Sequence, residues 1–188
     1  MPSLRSKFWS LIISRLIIKA GEINDSDDIR RDMSGDKISF LRDNWKKEEY
    51  IDYIDDSIGS LEILKLNNKK VISNKTLLYL HGGGYVACGP ETHGALITQL
   101  SLVTNCHVVF PIYRLAPENP FPAAIEDALA SYKNLLEVGI NPNEIFIGGD
   151  SAGGGLTLAL LQKIKSEELP MPSCAIVISP WTDLTLSG

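Results

Sequence analysis

From Lys75 to Pro180, apolar runs alternate with helical patterns, and this alternation leaves the chain few folds to choose from. The runs are 75–81, 106–114, 144–150 and 173–180, and a further strand, 61–66, precedes them across a turn at 67–70. Between them, Leu96, Ile97, Leu100 and Val103 recur at helical spacing after Pro90. A second helical pattern begins among the prolines near 120 and stops at Gly139, and a third runs from Ser151 to Lys165. A strand that is apolar at every position, rather than at every second one, has both faces buried. Such strands separated by helices predict an α/β fold: a mostly parallel sheet with helices on both faces.

The chain of 188 residues is long enough for one domain with a real core. With 44% hydrophobic and 22% charged residues, it has the make-up of a soluble globular protein. Its net charge of −5 argues against nucleic acid or an anionic membrane as the main partner. All of that excess lies in residues 24–56, where eleven acids face six bases. This stretch reads as a solvated surface segment, with an acidic docking patch as the lesser reading. The domain division expected is therefore an N-terminal helical or cap segment over 1–56 and the α/β unit over 57–188. At the start, Phe8, Leu11, Ile12, Arg15 and Leu16 have helical spacing. The preferred reading is an amphipathic helix lying on the protein, the alternatives being interfacial membrane contact or a cleaved signal.

Cys88, Cys106 and Cys174 are odd in number, widely spaced and outside any CxxC or His/Cys cluster. They read as reduced thiols of a cytoplasmic protein, with Cys106 and Cys174 as small core residues. No metal site is indicated.

Gly149-Asp150-Ser151-Ala152-Gly153 fits G-x-S-x-G at the junction of a predicted strand and a predicted helix. A serine on such a turn takes strained backbone angles and is lifted above the sheet edge at the positive end of the helix. Flanking glycines let other elements approach without Cβ clashes. A plain serine-capped turn and a phosphate loop are the competing readings. No lysine follows as a Walker loop requires, and the spacing does not match a dinucleotide fingerprint. Asp150, next to Ser151, is expected to point elsewhere and hold the turn by hydrogen bonds.

A second motif, His81-Gly82-Gly83-Gly84-Tyr85, follows the 75–81 run. Acyl transfer passes through a tetrahedral oxyanion, and a glycine run can aim several N–H groups at one oxygen. Two such motifs, each after a strand and in this order, point to a serine nucleophile with an oxyanion hole.

The segments "HGGGYVACG" (81–89), "YRLAPENPFPAAIEDA" (113–128), "GGDSAGGGL" (148–156) and "SPWTDLT" (179–185) resemble the hormone-sensitive-lipase-like family of α/β-hydrolases, which contains carboxylesterases and lipases. The resemblance covers about residues 60–188. It implies the α/β-hydrolase fold and hydrolysis of a small-molecule ester through an acyl-enzyme, with no metal and no organic cofactor. It makes Ser151 the nucleophile and Gly83, Gly84 and Ala152 the donors of oxyanion N–H groups. Gly82 and His81 support the loop. Tyr85 and Trp181 are candidates for the pocket lining, with core packing as the alternative. Arg114 and Glu118 are expected to pair near the site, and His93 and His107 to be structural or exposed.

In this fold the acid and histidine of the triad follow the serine in sequence. After Ser151 come Glu167, Glu168 and Asp183 but no histidine, and Asp183 lies before the loops that would carry the acid. The sequence thus reads as the N-terminal part of such a domain, without the triad acid and histidine. Alone it is expected to expose the 173–180 strand as an apolar sheet edge, to be poorly soluble or dimeric, and to be nearly inactive. Two other readings stand beside an ester hydrolase. One is an inactive remnant or ligand-binding member of the fold; the other is a fragment that needs a C-terminal partner chain.

Overall fold

The computed structural model describes residue 49 and residues 51–72 and 74–185. The N-terminal helix expected at 8–18 and most of the acidic segment lie outside these residues. Six strands, β1 (Ile51–Ile58), β2 (Leu61–Asn68), β3 (Thr76–Leu80), β4 (His107–Pro111), β5 (Ile145–Asp150) and β6 (Cys174–Ile178), form one sheet in the order β1-β2-β4-β3-β5-β6. Three helices, α1 (Pro90–Thr104), α2 (Ala123–Glu137) and α3 (Ser151–Ser166), connect the parallel strands β3 to β6. β2 alone runs antiparallel, to its hairpin partner β1 on one side and to β4 on the other, so the sheet is mixed but mostly parallel.

β3 is apolar over Leu77–Leu80 because its successive side chains enter two different cores. Leu78 and Leu80 of β3 pack with Leu129 and Tyr132 of α2 and with Leu156 and Leu160 of α3. Leu77 and Tyr79 of the same strand pack with Ile97 of α1 on the opposite face. Two helices therefore cover one face and one covers the other. The reason is the strand order. From β3 the chain crosses to β4 on one side, then returns past β3 to β5 on the other. Right-handed crossovers in opposite directions place their helices on opposite faces. The reversal point lies between β3 and β5, and the crevice at the carboxyl ends of such strands is where ligands bind in open α/β sheets.

Three expectations need correction. The strand β1 begins inside the stretch assigned to the N-terminal segment: Ile51–Asp56 are sheet residues. As an edge strand, β1 tolerates Asp52, Asp55 and Asp56 because neither face is fully covered. Asp56 pairs with Lys65 of the neighbouring strand, and Asp52 with Lys69 in the turn that follows it. Cys174 is exposed rather than a core residue, whereas Cys106 is buried. β6 lies at the other sheet edge with every residue exposed, including Ile176 at 49%. Thirdly, Arg114 pairs not with Glu118 but with Asp127, through bonds of 2.8–3.0 Å, and with Glu126. Asp127 lies on the first turns of α2, where its carboxylate also accepts the Arg114 backbone N–H.

Candidate active site

β5 runs into α3 without an intervening loop, and Ser151 is the first helical residue. Its φ is 51°, a left-handed value that a side chain rarely adopts and that costs on the order of 1–3 kcal/mol. The packing around the turn holds it there. A Cβ on Gly149 would lie 2.4 Å from the carbonyl oxygen of Gly153 and 2.5 Å from that of Leu80. One on Gly153 would lie 2.0 Å from the Leu80 oxygen. Only glycine at both positions lets the end of β3 press directly on the turn. From the other side, the backbone N–H of Trp181 donates to the Ser151 carbonyl at 2.8 Å. The Ser151 residue itself is exposed.

The close contact with Leu80 brings the glycine loop to the same place, since Leu80 is in register with Gly149 across the β3–β5 pair. The Gly82 N–H donates to the Asp150 carboxylate at 3.1 Å. His81 Nδ1 donates to the Gly82 carbonyl at 2.6 Å. With both ends of this peptide held, Gly83 and Gly84 follow at φ of 116° and 64°. Their turn is closed by Val86 and Ala87 N–H groups on the Gly83 carbonyl. Neither the Gly83 nor the Gly84 amide donates to another group among the described residues.

Asp150 occupies the N-cap position of α3, where an aspartate ordinarily accepts amides of the first helical turn. Here it makes no such bond. Its carboxylate instead takes the Tyr79 hydroxyl at 2.9 Å, the Gly82 N–H and His93 Nε2 at 3.3–3.4 Å. Burial alone would raise its pKa, but these bonds outweigh it and hold the group below the usual carboxylate range. The first amides of α3, Ala152 among them, are thereby left to an outside acceptor at the positive end of the helix. The arrangement can present a hydroxyl beside several N–H donors that have no acceptor of their own.

His81 is completely buried, stacked on Tyr113 with ring centroids 4.2 Å apart, and burial pushes its pKa down to about 4. It is a neutral loop support. The unfolded chain binds its proton near pH 6.5 while the folded protein excludes it down to about pH 4. Stability is therefore expected to fall as pH drops through that window, by about 1.4 kcal/mol per unit and about 3 kcal/mol in all. Urea midpoints measured from pH 7 to 4.5 check this. A His81→Gln variant should lose that part of the slope, whereas the Asp150 contribution begins only below the unfolded value of 3.8.

A profile of the alpha/beta hydrolase fold matches residues 77–188, more than half of the chain. An acetyl-hydrolase of Streptomyces hygroscopicus is 46% identical over 114 residues, which is 61% of this chain and 38% of that protein. An esterase of Acinetobacter venetianus is 41% identical over 116 residues, with 62% and 38% covered. The crystal structure of an esterase from the bacterial hormone-sensitive lipase family superposes with a TM-score of 0.79 at 34% identity, covering 88% of this chain and 54% of that one. This chain belongs to the hormone-sensitive-lipase-like family of α/β-hydrolases. It spans 38% of the length of those two relatives and about half of the solved structure.

In this α/β-hydrolase the two motifs read from sequence meet at the reversal point of the sheet. Tyr85 and Trp181 form an aromatic pair with centroids 6.4 Å apart, and the Tyr85 hydroxyl lies near Gly155 of α3. Tyr85 also packs against the core. None of the three histidines bonds to Ser151. His81 holds Gly82, His93 bonds to Asp150 and Thr92, and His107 accepts the Asn68 N–H at the far end of the sheet. Glu167 pairs with Lys133 and Lys163, and Asp183 bonds within its own turn. His93, Tyr79 and Tyr113 are parts of the site that local sequence did not reveal. Tyr113 donates to the His81 carbonyl at 2.7 Å. Among the described residues no cluster suited to a metal ion is present, and no helix is long and apolar enough to cross a membrane.

Proposed function

We propose that these residues form the nucleophile and oxyanion hole of a serine carboxylic-ester hydrolase. The Ser151 oxygen attacks the ester carbonyl and the C–O π pair moves onto the carbonyl oxygen. The N–H groups of Gly83, Gly84 and Ala152 stabilise the resulting charge. The serine proton passes to a base and then to the departing alcohol as the ester C–O bond breaks. Water releases the acyl group from Ser151 in the second half of the cycle. Tyr85 and Trp181 line the side on which the ester lies. The single observation that carries this reading is the left-handed Ser151 at the start of a helix whose N-cap aspartate is turned away from it.

The base and its acid partner belong, on this reading, to residues outside these 188. The three histidines of the chain are all engaged elsewhere. That same observation favours a second reading, a ligand-binding member of the fold that retains the pocket without turnover. The name of the Streptomyces hygroscopicus relative, acetyl-hydrolase, makes short acyl esters the substrates to try. The full-length protein isolated from its source should hydrolyse p-nitrophenyl acetate and butyrate. Tight binding of an ester without release of nitrophenol from folded protein would favour the second reading instead. The cytoplasm is the proposed location.

A further inference from the structure

The Asp150 carboxylate has two uses open to it. It can hold the Gly82 amide, as it does at 3.1 Å. Or it can swing onto the first amides of α3, the bond that an aspartate at the N-cap ordinarily makes and the helix dipole favours. In the second position it would occupy the Ala152 N–H and release the glycine loop at once. Something must hold it to the first.

Two side chains bond to the carboxylate on the side away from the helix. Tyr79 lies on β3, deep in the sheet, and donates its hydroxyl at 2.9 Å. His93 lies on the first turn of α1 and places Nε2 3.3 Å from one carboxylate oxygen and 3.4 Å from the other. An ionised carboxylate only accepts, so Nε2 carries the hydrogen. The opposite ring nitrogen sits 2.8 Å from the Thr92 hydroxyl, which is itself tied to Gly89 at the start of α1. The imidazole is thus fixed at both ends, and its side chain is only 12% exposed. Its ring also lies against His81, with centroids 5.6 Å apart, and against Phe110 at 6.3 Å. His81 is the residue that holds the Gly82 carbonyl. One side chain therefore touches both groups that grip the Gly82 peptide: Asp150 by a hydrogen bond, His81 by ring packing.

We propose that His93 is a positioning residue for the oxyanion hole: it holds Asp150 on the glycine loop and off the amino end of α3, leaving the Ala152 amide free for the oxyanion. It rests on the reading of Ser151 as an esterase nucleophile and names the residue on α1 that keeps that site open. His93 does not touch substrate. Its effect is on the transition state, where the amides are used, and not on the binding of the uncharged ester.

The test uses the full-length protein and two variants, His93→Ala and His93→Gln, the latter keeping an N–H donor near the Nε2 position. Each is assayed for the rate of phosphonylation by a fluorophosphonate, whose adduct places an oxygen in the same N–H cluster, and for kcat and KM on p-nitrophenyl acetate. The expected result is a fall of about 10- to 100-fold in phosphonylation and kcat for His93→Ala. That is less than the 10²–10³ lost with a whole oxyanion donor. KM should hold, and His93→Gln should return the rate to within about threefold of the parent. A folded His93→Ala protein with the parent rate overturns the proposal, as does a loss confined to KM. If His93→Ala does not fold, His93→Gln decides: near-parent rates support the proposal, and a fall as large as that expected for alanine overturns it. A parent protein inert to both reagents sinks the esterase reading itself, and so is told apart from failure of the His93 proposal.

Discussion

Gly153→Ala is expected to destabilise the protein by about 3 kcal/mol or more, although alanine is the better helix former by up to about 1 kcal/mol. Gly153 sits in the first turn of α3. A Cβ there would meet the Leu80 carbonyl oxygen at 2.0 Å and that of His81 at 2.4 Å. Both are backbone atoms at the point where β3 becomes the glycine loop, so neither can rotate away. The helix must shift out by an ångström or more. That breaks the approach which keeps Ser151 at positive φ and the Gly82–Asp150 bond beside it. Total stabilities are of the order of 5–15 kcal/mol, so the loss is a large share. A fall in the urea midpoint checks it. A midpoint equal to or above the parent's would mean that the end of β3 does not bear on the elbow.

Ser151→Ala is expected to lower kcat of the full-length protein by about 10⁶, the scale found when a serine-protease nucleophile is removed, with KM little changed. The elbow backbone and the amides of Gly83, Gly84 and Ala152 stay in place, so the ester still binds. What disappears is the covalent route, leaving a residue of up to about 10³–10⁴ over water from the oxyanion donors and binding. Alanine tolerates φ of 51° no better than serine, so stability should hardly move. Steady-state kinetics on p-nitrophenyl acetate measures both parameters. A variant with parental kcat would place the nucleophile elsewhere.

How much of this was legible in the sequence follows from the range of each interaction. β3, β4 and β5 could be read off because each holds a nearly continuous apolar run, and a buried strand needs no partner to reveal it. β1 could not. Ile51–Ile58 carries three aspartates, and two of these are balanced only by Lys65 and Lys69 across the hairpin, a pairing that exists once the register does. Cys174 looked like Cys106 because both adjoin apolar strand runs. Their difference lies in the sheet order, which puts β6 at an edge.

The site divides in the same way. Gly149, Ser151 and Gly153 announce themselves because the strain and the close approach are local to five residues. The role of His93 is set by a carboxylate 57 residues further along the chain, and no spacing rule connects them. Arg114 was expected to find its partner four residues away. The fold offers it Asp127, whose carboxylate accepts both the Arg114 side chain and its backbone N–H. Local chemistry named the candidate groups, while the residues that hold them in place emerged from topology.

The central claim is that Ser151 is a nucleophile facing an open set of N–H donors. The most direct measurement is to treat the full-length native protein with a fluorophosphonate, digest it and locate the adduct by mass spectrometry. The account predicts one phosphonyl group, on Ser151, formed with loss of fluoride and absent from protein unfolded in urea beforehand. Folded protein that takes up no label, or that carries it on another residue, would contradict it.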